Sequence, residues 1–262
     1  MAEPIDYTPL DLPQISQMMF YPQRTWSPAP AGAADHLVPV ANGISVSARF
    51  YPRDKASPSI LFFHGNGEVA CQYDDIAPYY AQAGANLFAV DFRGYGQSGG
   101  SPSFSTMIAD ARAVYEYFRD TLAAEGYRGP RFVKGRSLGA HSAVEVAARY
   151  QAELRGFISE SGSAATGRMT ARWGLRLNDP EIEEMNRLHK EKVASITIPF
   201  LMIHGEQDDL VPLETAAELY DSVSSEEKHI ELIPGAGHND LLWLGMDQYF
   251  EAMRKFLPDH GE

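Results

Sequence analysis

Three residues far apart in the chain could together move a proton and attack an acyl carbon: Ser137, Asp208 and His238. Ser137 lies in Gly135-Arg136-Ser137-Leu138-Gly139, a G-x-S-x-G pattern. A serine hydroxyl is a weak nucleophile until a neighbouring base takes its proton. Histidine titrates near neutrality and can take and return that proton. A carboxylate beside the ring fixes its tautomer and stabilises the imidazolium. His238 closes the glycine-rich run Pro234-Gly235-Ala236-Gly237. Taken alone, His238 reads equally as a surface histidine, and Ser137 as a helix cap. The carboxylate is assigned to Asp208, three residues after Gly205 and three before Val211. Asp209 competes for the role and otherwise reads as a helix N-cap or loop residue.

Acyl transfer also needs backbone N–H groups aimed at the oxyanion that develops. His64-Gly65-Asn66-Gly67 is a glycine-rich turn that could bring one close. The expected donors are the N–H groups of Asn66 and Leu138, with His64 holding the loop by hydrogen bonds. Candidates for contact with substrate are Glu68, Arg136 and Ser161. Arg136 could meet a substrate carboxylate or sit in a buried ion pair. Glu68 and Cys71 follow the turn and could line a pocket, and Ser161 follows a strand beside Ser137. Trp173, Leu175 and Trp243 read as pocket walls or as plain core. Arg93 and Tyr95 read as residues that hold a loop beside the site. No metal-ligating set is expected.

These residues can act together only if the fold brings them to one place. Residues 44–51 alternate apolar and polar, as a half-buried strand does, and Asn42-Gly43 marks a hairpin with 36–41. Residues 60–63 and 87–90 are continuous apolar runs, which suit parallel strands covered on both faces. Further strands are expected over 131–134, 156–158, 198–203 and 228–233. Helices are expected over 74–83, 106–124, 138–150, 213–221 and 240–256. The second of these carries Met107, Ile108, Ala111, Val114, Tyr115 and Phe118 at helical spacing. Strand–helix alternation after an opening hairpin predicts an α/β fold with a mostly parallel, doubly wound sheet and right-handed crossovers. Ligands bind beyond the carboxyl ends of such strands, which is where Ser137, Asp208, His238 and the 64–67 turn fall.

Residues 162–196 interrupt the alternation with polar, helical sequence and are expected to form a small cap above the sheet. Residues 1–35 are expected to be an arm around the apolar knot Met18-Met19-Phe20-Tyr21. The arm reads as packed on the domain, or else as dipping into a membrane or binding a partner. Residues 36–262 are expected to be a single domain. At 44% hydrophobic and 22% charged, the composition is that of a soluble globular protein with a full core. A net charge of −13 excludes general nucleic-acid binding, which needs clustered Lys and Arg. Cys71 is the one cysteine, so no intrachain disulfide forms. The N-terminus has no secretory h-region, and no stretch approaches the ~18 apolar residues of a membrane span. The expected location is the cytoplasm.

HGNG at 64–67, DFRGYGQSGG at 91–100, GRSLG at 135–139, HGEQDDLVP at 204–212 and GAGH at 235–238 follow one another in order. Over roughly residues 36–258 the chain resembles the α/β-hydrolase superfamily, whose order of site residues is also Ser, acid, His. It most resembles the small serine hydrolases with HGN and GRSLG motifs, a subgroup that includes depalmitoylating thioesterases and lipid acyl hydrolases. The resemblance implies hydrolysis of a small-molecule carboxylic ester or thioester through an acyl-enzyme on Ser137. It implies neither a metal nor an organic cofactor. A peptidase or C–C hydrolase using the same three residues is one alternative, and a binding protein with a relic site is another.

Overall fold

The computed structural model describes residues 5–163, 166 and 179–257. Strands β1 (Ala34–Ala41) and β2 (Ile44–Tyr51) form the opening hairpin, which turns at Gly43 with φ +72°. They are followed by β3 (Ser59–Phe63), β4 (Asn86–Val90), β5 (Arg131–Arg136), β6 (Gly156–Glu160), β7 (Phe200–Gly205) and β8 (Lys228–Ile233). The order across the single sheet is β1-β2-β4-β3-β5-β6-β7-β8. The β1–β2 and β2–β4 pairs are antiparallel and all later pairs are parallel. This is the α/β-hydrolase fold that the sequence predicted.

The central strands show why their sequences run apolar without a break. Leu61, Phe63, Phe88, Val133, Phe157 and Met202 belong to a core on one face of the sheet. Their neighbours Ile60, Phe62, Leu87, Phe132, Ile158 and Ile203 belong to a second core on the other face. Successive side chains point to opposite faces, so a strand covered on both sides is apolar at most positions. Each such side chain contributes ~1.5–3 kcal/mol on burial. The first face is covered by helices α3 (Phe104–Ala124), α4 (Gly139–Tyr150), α5 (Pro180–Ala194) and α6 (Leu213–Ser222). The second is covered by α2 (Ala77–Gln82) and α7 (Leu241–Phe256).

Several element bounds differ from expectation. The helix expected over 74–83 is divided into a 3-10 turn, Ala70–Tyr73, and α2. Pro78 lacks an N–H and is tolerated only in the first turn of a helix, so the helix begins at Ala77. The strand expected over 131–134 continues through Gly135 and Arg136, and the one over 156–158 continues through Glu160. The strand expected from 198 begins at Phe200, after Pro199, which has no N–H to give a ladder.

The arm contains a short helix, α1 (Pro13–Met19). Ile15, Met19 and Phe20 are buried, while Met18 and Tyr21 are 60% and 66% exposed. Within the expected 162–196 insertion, the structure shows α5 over Pro180–Ala194. The stretches 164–165 and 167–178, with the candidate walls Trp173 and Leu175, lie outside the described residues. Among the described residues, no helix is long and apolar enough to cross a membrane.

Candidate active site

β5 delivers Ser137 to the carboxyl edge of the sheet, and α4 leaves from the same turn. Ser137 has φ +50°, a left-handed conformation that a non-glycine residue adopts at a cost of ~1–3 kcal/mol. The turn is tight. A Cβ on Gly135 would stand 2.5 Å from the Gly139 carbonyl oxygen, and one on Gly139 would collide with the Phe63 carbonyl. Glycines on both sides of the serine therefore let β5 and α4 meet without a loop. The Ser137 N–H donates to the Glu160 carbonyl at 2.9 Å, and the Ser137 carbonyl accepts from the Ala140 N–H at 3.0 Å.

The structure brings Ser137, His238 and Asp208 into one hydrogen-bonded chain. His238 Nε2 lies 2.9 Å from Ser137 Oγ, and His238 Nδ1 lies 2.8 Å from Asp208 Oδ2. A carboxylate can only accept, so Nδ1 carries the proton and donates it. In the neutral ring, Nε2 is then free to accept from the serine hydroxyl. The loop after β8 can approach because residue 205 is glycine; a Cβ there would collide with the Ala236 carbonyl.

Asp208 is buried, and its Oδ1 accepts from the N–H groups of Leu210 and Val211 at 3.0 and 2.8 Å. Burial works to raise its pKa. The hydrogen bonds from His238 and Val211 outweigh burial and hold it below the ordinary carboxylate value. His204 closes the loop through a 2.9 Å hydrogen bond between its Nε2 and the Val211 carbonyl. Asp209 is exposed.

The 64–67 turn follows β3. His64 is fully buried, with Nδ1 2.8 Å from the Gly65 carbonyl and Nε2 3.0 Å from Asp91 Oδ1. The Asn66 side-chain oxygen is engaged by the arm and the 91–100 loop: Oδ1 accepts from the Tyr21 N–H at 2.8 Å and the Tyr95 hydroxyl at 2.6 Å. The backbone N–H groups of Asn66 and Leu138 have no partner among the described residues.

Of the three candidates for substrate contact, Glu68 and Arg136 line a cavity together with His238. Arg136 donates to Glu160 and Glu68, to the His238 carbonyl at 3.1 Å and to Asn239 Oδ1 at 3.0 Å. The buried ion pair that is one of its two sequence readings is present in the structure. Burial works against the charge, but the Glu68 and Glu160 carboxylates hold the guanidinium pKa above its ordinary value. Glu68 has both oxygens occupied, Oε1 by Arg136 and Oε2 by the Gly65 N–H at 2.9 Å and the Tyr73 hydroxyl at 2.8 Å. Ser161 has φ +45°, and its buried hydroxyl has no partner among the described residues.

Arg93 forms a two-pronged pair with Asp110 at 2.7 and 2.6 Å, and Cys71 is buried. Trp243 is neither a pocket wall nor core: it is 88% exposed, because α7 turns Leu241, Tyr249, Phe250 and Met253 inward instead. Sequence reasoning missed Lys134 and Asn239. Lys134 is fully buried, paired with Glu160 and 3.8 Å from the centre of the Phe62 ring. Among the described residues, no group of three or more His, Cys, Asp and Glu is placed to hold a metal ion.

The strand order, the antiparallel lead-in and a polar site at the carboxyl ends of β3, β5, β7 and β8 define the α/β-hydrolase class of proteins. The chain belongs to the Hydrolase_4 family, described as serine aminopeptidase, S33, whose model matches residues 54–180 and 160–242. It is a hydrolase. It is 30% identical over 233 residues to an uncharacterized protein of Mycobacterium tuberculosis, across 88% of this chain and 80% of that one. It is 28% identical over 211 residues to alpha/beta hydrolase domain-containing protein 17B of Xenopus laevis, across 77% and 67%. Among solved structures it is similar to an esterase of Pyrococcus furiosus, with TM-score 0.72 and 18% identity over 91% of this chain and 98% of that one. It is also similar to Est1E of Butyrivibrio proteoclasticus with ferulic acid bound, with TM-score 0.70 and 19% identity over 86% and 98%. At such identities the likeness is one of fold.

Proposed function

We propose that this chain hydrolyses small-molecule carboxylic esters or thioesters through an acyl-enzyme on Ser137. The observation that carries this reading is the unbroken chain Ser137 Oγ–His238–Asp208, with links of 2.9 and 2.8 Å. His238 takes the hydroxyl proton as Ser137 attacks the acyl carbon. The N–H groups of Asn66 and Leu138, without partners among the described residues, receive the oxyanion; such a donor typically accounts for about 100- to 1,000-fold in kcat. His238 then returns the proton to the leaving alcohol or thiol. Water activated by the same ring releases the acid in a second half-reaction. The esterase among the solved structures similar to this one supports an ester as the substrate. The proposed setting is the cytoplasm, in keeping with a single, unpaired cysteine.

A fluorophosphonate probe tests the nucleophile. Wild type is expected to label and Ser137→Ala not to, with ester hydrolysis falling on the order of 1,000-fold or more. Labelling that persists in Ser137→Ala defeats the assignment. The family's description favours a second reading, a peptidase releasing N-terminal residues. A panel of p-nitrophenyl esters, acyl-thioesters and aminoacyl amides separates the two, and turnover of amides alone establishes the second.

A further inference from the structure

Arg136 ends β5 and immediately precedes Ser137. A guanidinium carries five N–H donors in a fixed plane. Here Nε donates to Glu160 Oε1 at 3.1 Å and Nη1 to Glu68 Oε1. Nη2 donates to both the His238 carbonyl, at 3.1 Å, and Asn239 Oδ1, at 3.0 Å. The four partners belong to three parts of the site. Glu160 ends β6, and its carbonyl receives the Ser137 N–H. Glu68 receives the Gly65 N–H on its second oxygen, and Gly65 precedes the oxyanion donor Asn66. His238 is the base itself. The guanidinium reaches the turn only because residue 65 is glycine; a Cβ there would collide with Nη1.

Charge balance alone does not account for this arrangement. Glu160 already has Lys134 and the Tyr249 hydroxyl, the latter at 2.8 Å, on its other oxygen. Two of the Arg136 hydrogen bonds go to neutral acceptors on the His238 loop, where a neutralising cation has no task. We propose that Arg136 is a positioning residue for acyl transfer, fixing the His238 loop and the 64–67 turn against Ser137 through one rigid plane. This rests on the esterase reading given above. A lysine could not substitute, because three donors on one nitrogen cannot span acceptors spread around the edges of the guanidinium plane. Misplacing reacting groups by about 1 Å can cost about 100-fold in rate.

A cavity of about 200 Å³, lined in part by Glu68, Tyr73, Arg136, His238, Asn239 and Leu241, adjoins the guanidinium. It gives a small cation a route to the vacated position in a truncated variant. The test compares wild type, Ser137→Ala, Arg136→Ala and Arg136→Lys on one p-nitrophenyl ester. Arg136→Ala is expected to lose about 10- to 100-fold in kcat with KM changed by less than about threefold. Guanidinium at about 50 mM, far below the molar range that unfolds proteins, is expected to restore part of the loss. Ammonium at the same concentration and Arg136→Lys are not.

Wild-type kcat in Arg136→Ala overturns the inference, as does a loss that guanidinium leaves unchanged in folded protein. If Arg136→Ala does not fold, Glu68→Gln and Asn239→Ala decide. Each is expected to lower kcat several-fold in protein that remains folded at the assay temperature, and wild-type rates in both overturn the inference. Wild type that neither turns over ester nor labels with fluorophosphonate is a different failure, that of the esterase reading, and the inference falls with it.

Discussion

Asp208 and Asp209 are neighbours in sequence with opposite surroundings. Asp208 is buried and spends one oxygen on His238 and the other on two backbone N–H groups, whereas Asp209 is exposed. Asp208→Asn places an amide where the carboxylate stood. Its NH₂ group can turn towards His238 Nδ1, which then favours the tautomer with the proton on Nε2, where it cannot accept from Ser137. Loss of kcat on the order of 1,000- to 10,000-fold is expected, the scale seen for this change in other serine hydrolases. Asp209→Asn is expected to stay within about twofold, since surface substitutions away from a site rarely matter. Steady-state kinetics of the two variants on the same ester check this, and comparable losses in both reassign the acid. The depressed pKa of Asp208 also has a sign. Its contribution to stability is present above the ordinary carboxylate pKa and is lost as pH falls through the lower folded value.

Among the elements, the contact of α4 with α5 and the arm carries a pH dependence of its own. His141 on α4 is buried against the rings of Phe104 and His189, with centroids 5.2 and 5.9 Å away. Its Nδ1 has no partner among the described residues. The charge that acts on it is that of Lys192 on α5, which pairs with Glu145 of α4 and also donates to the Tyr7 hydroxyl. Burial, followed by the Lys192 charge, lowers the His141 pKa from 6.5 to about 4. Below pH 6.5 the unfolded chain binds a proton that the folded chain refuses. Stability therefore falls as pH drops from about 6.5 towards 4, by on the order of 3 kcal/mol in all, and is constant with respect to this group above 6.5. Urea unfolding at pH 7 and pH 5 measures the slope, and His141→Phe is expected to flatten it. An unchanged slope in that variant assigns the dependence elsewhere. The elements themselves were largely legible in the sequence. β3 and β4 are covered on both faces and announce themselves as apolar runs, and turns between strand and helix placed Ser137, Asp208 and His238 at one edge. What was not legible depends on register. Arg136 meets Glu160 because β5 pairs with β6 at that position, and strands adjacent in a sheet leave no mark of their pairing in either sequence. Likewise α1 and the arm's course follow from contacts rather than from periodicity.

For the molecule as a whole, the arm is the part whose standing the sequence left most open, between a packed segment and a detachable one. It touches both the helices and the site. The Tyr7 hydroxyl lies 2.7 Å from His189 Nδ1 on α5, and Asp11 Oδ1 accepts the Ser105 N–H of α3 at 3.0 Å. The Tyr21 N–H donates to Asn66 Oδ1, on the turn expected to hold the oxyanion, and to the Tyr95 hydroxyl at 2.9 Å. The Gln23 carbonyl accepts from the Gly96 N–H at 2.7 Å, and Arg24 donates to the Ser98 carbonyl at 3.0 Å. Leu10, Ile15, Met19 and Phe20 enter the same apolar core as the α3 and α4 side chains. A detachable arm, whether for a membrane or a partner, would leave the domain's stability unchanged when its apolar knot is weakened. A packed arm would not. Phe20→Ala is expected to destabilise the whole protein by about 3–5 kcal/mol, the range for truncating a buried phenylalanine, in one cooperative urea transition. The cost is global because Phe20 is 4% exposed within a core that cannot be opened locally without exposing its neighbours. A midpoint unchanged from wild type, with only the first ~25 residues becoming sensitive to protease, would make the arm an appendage instead.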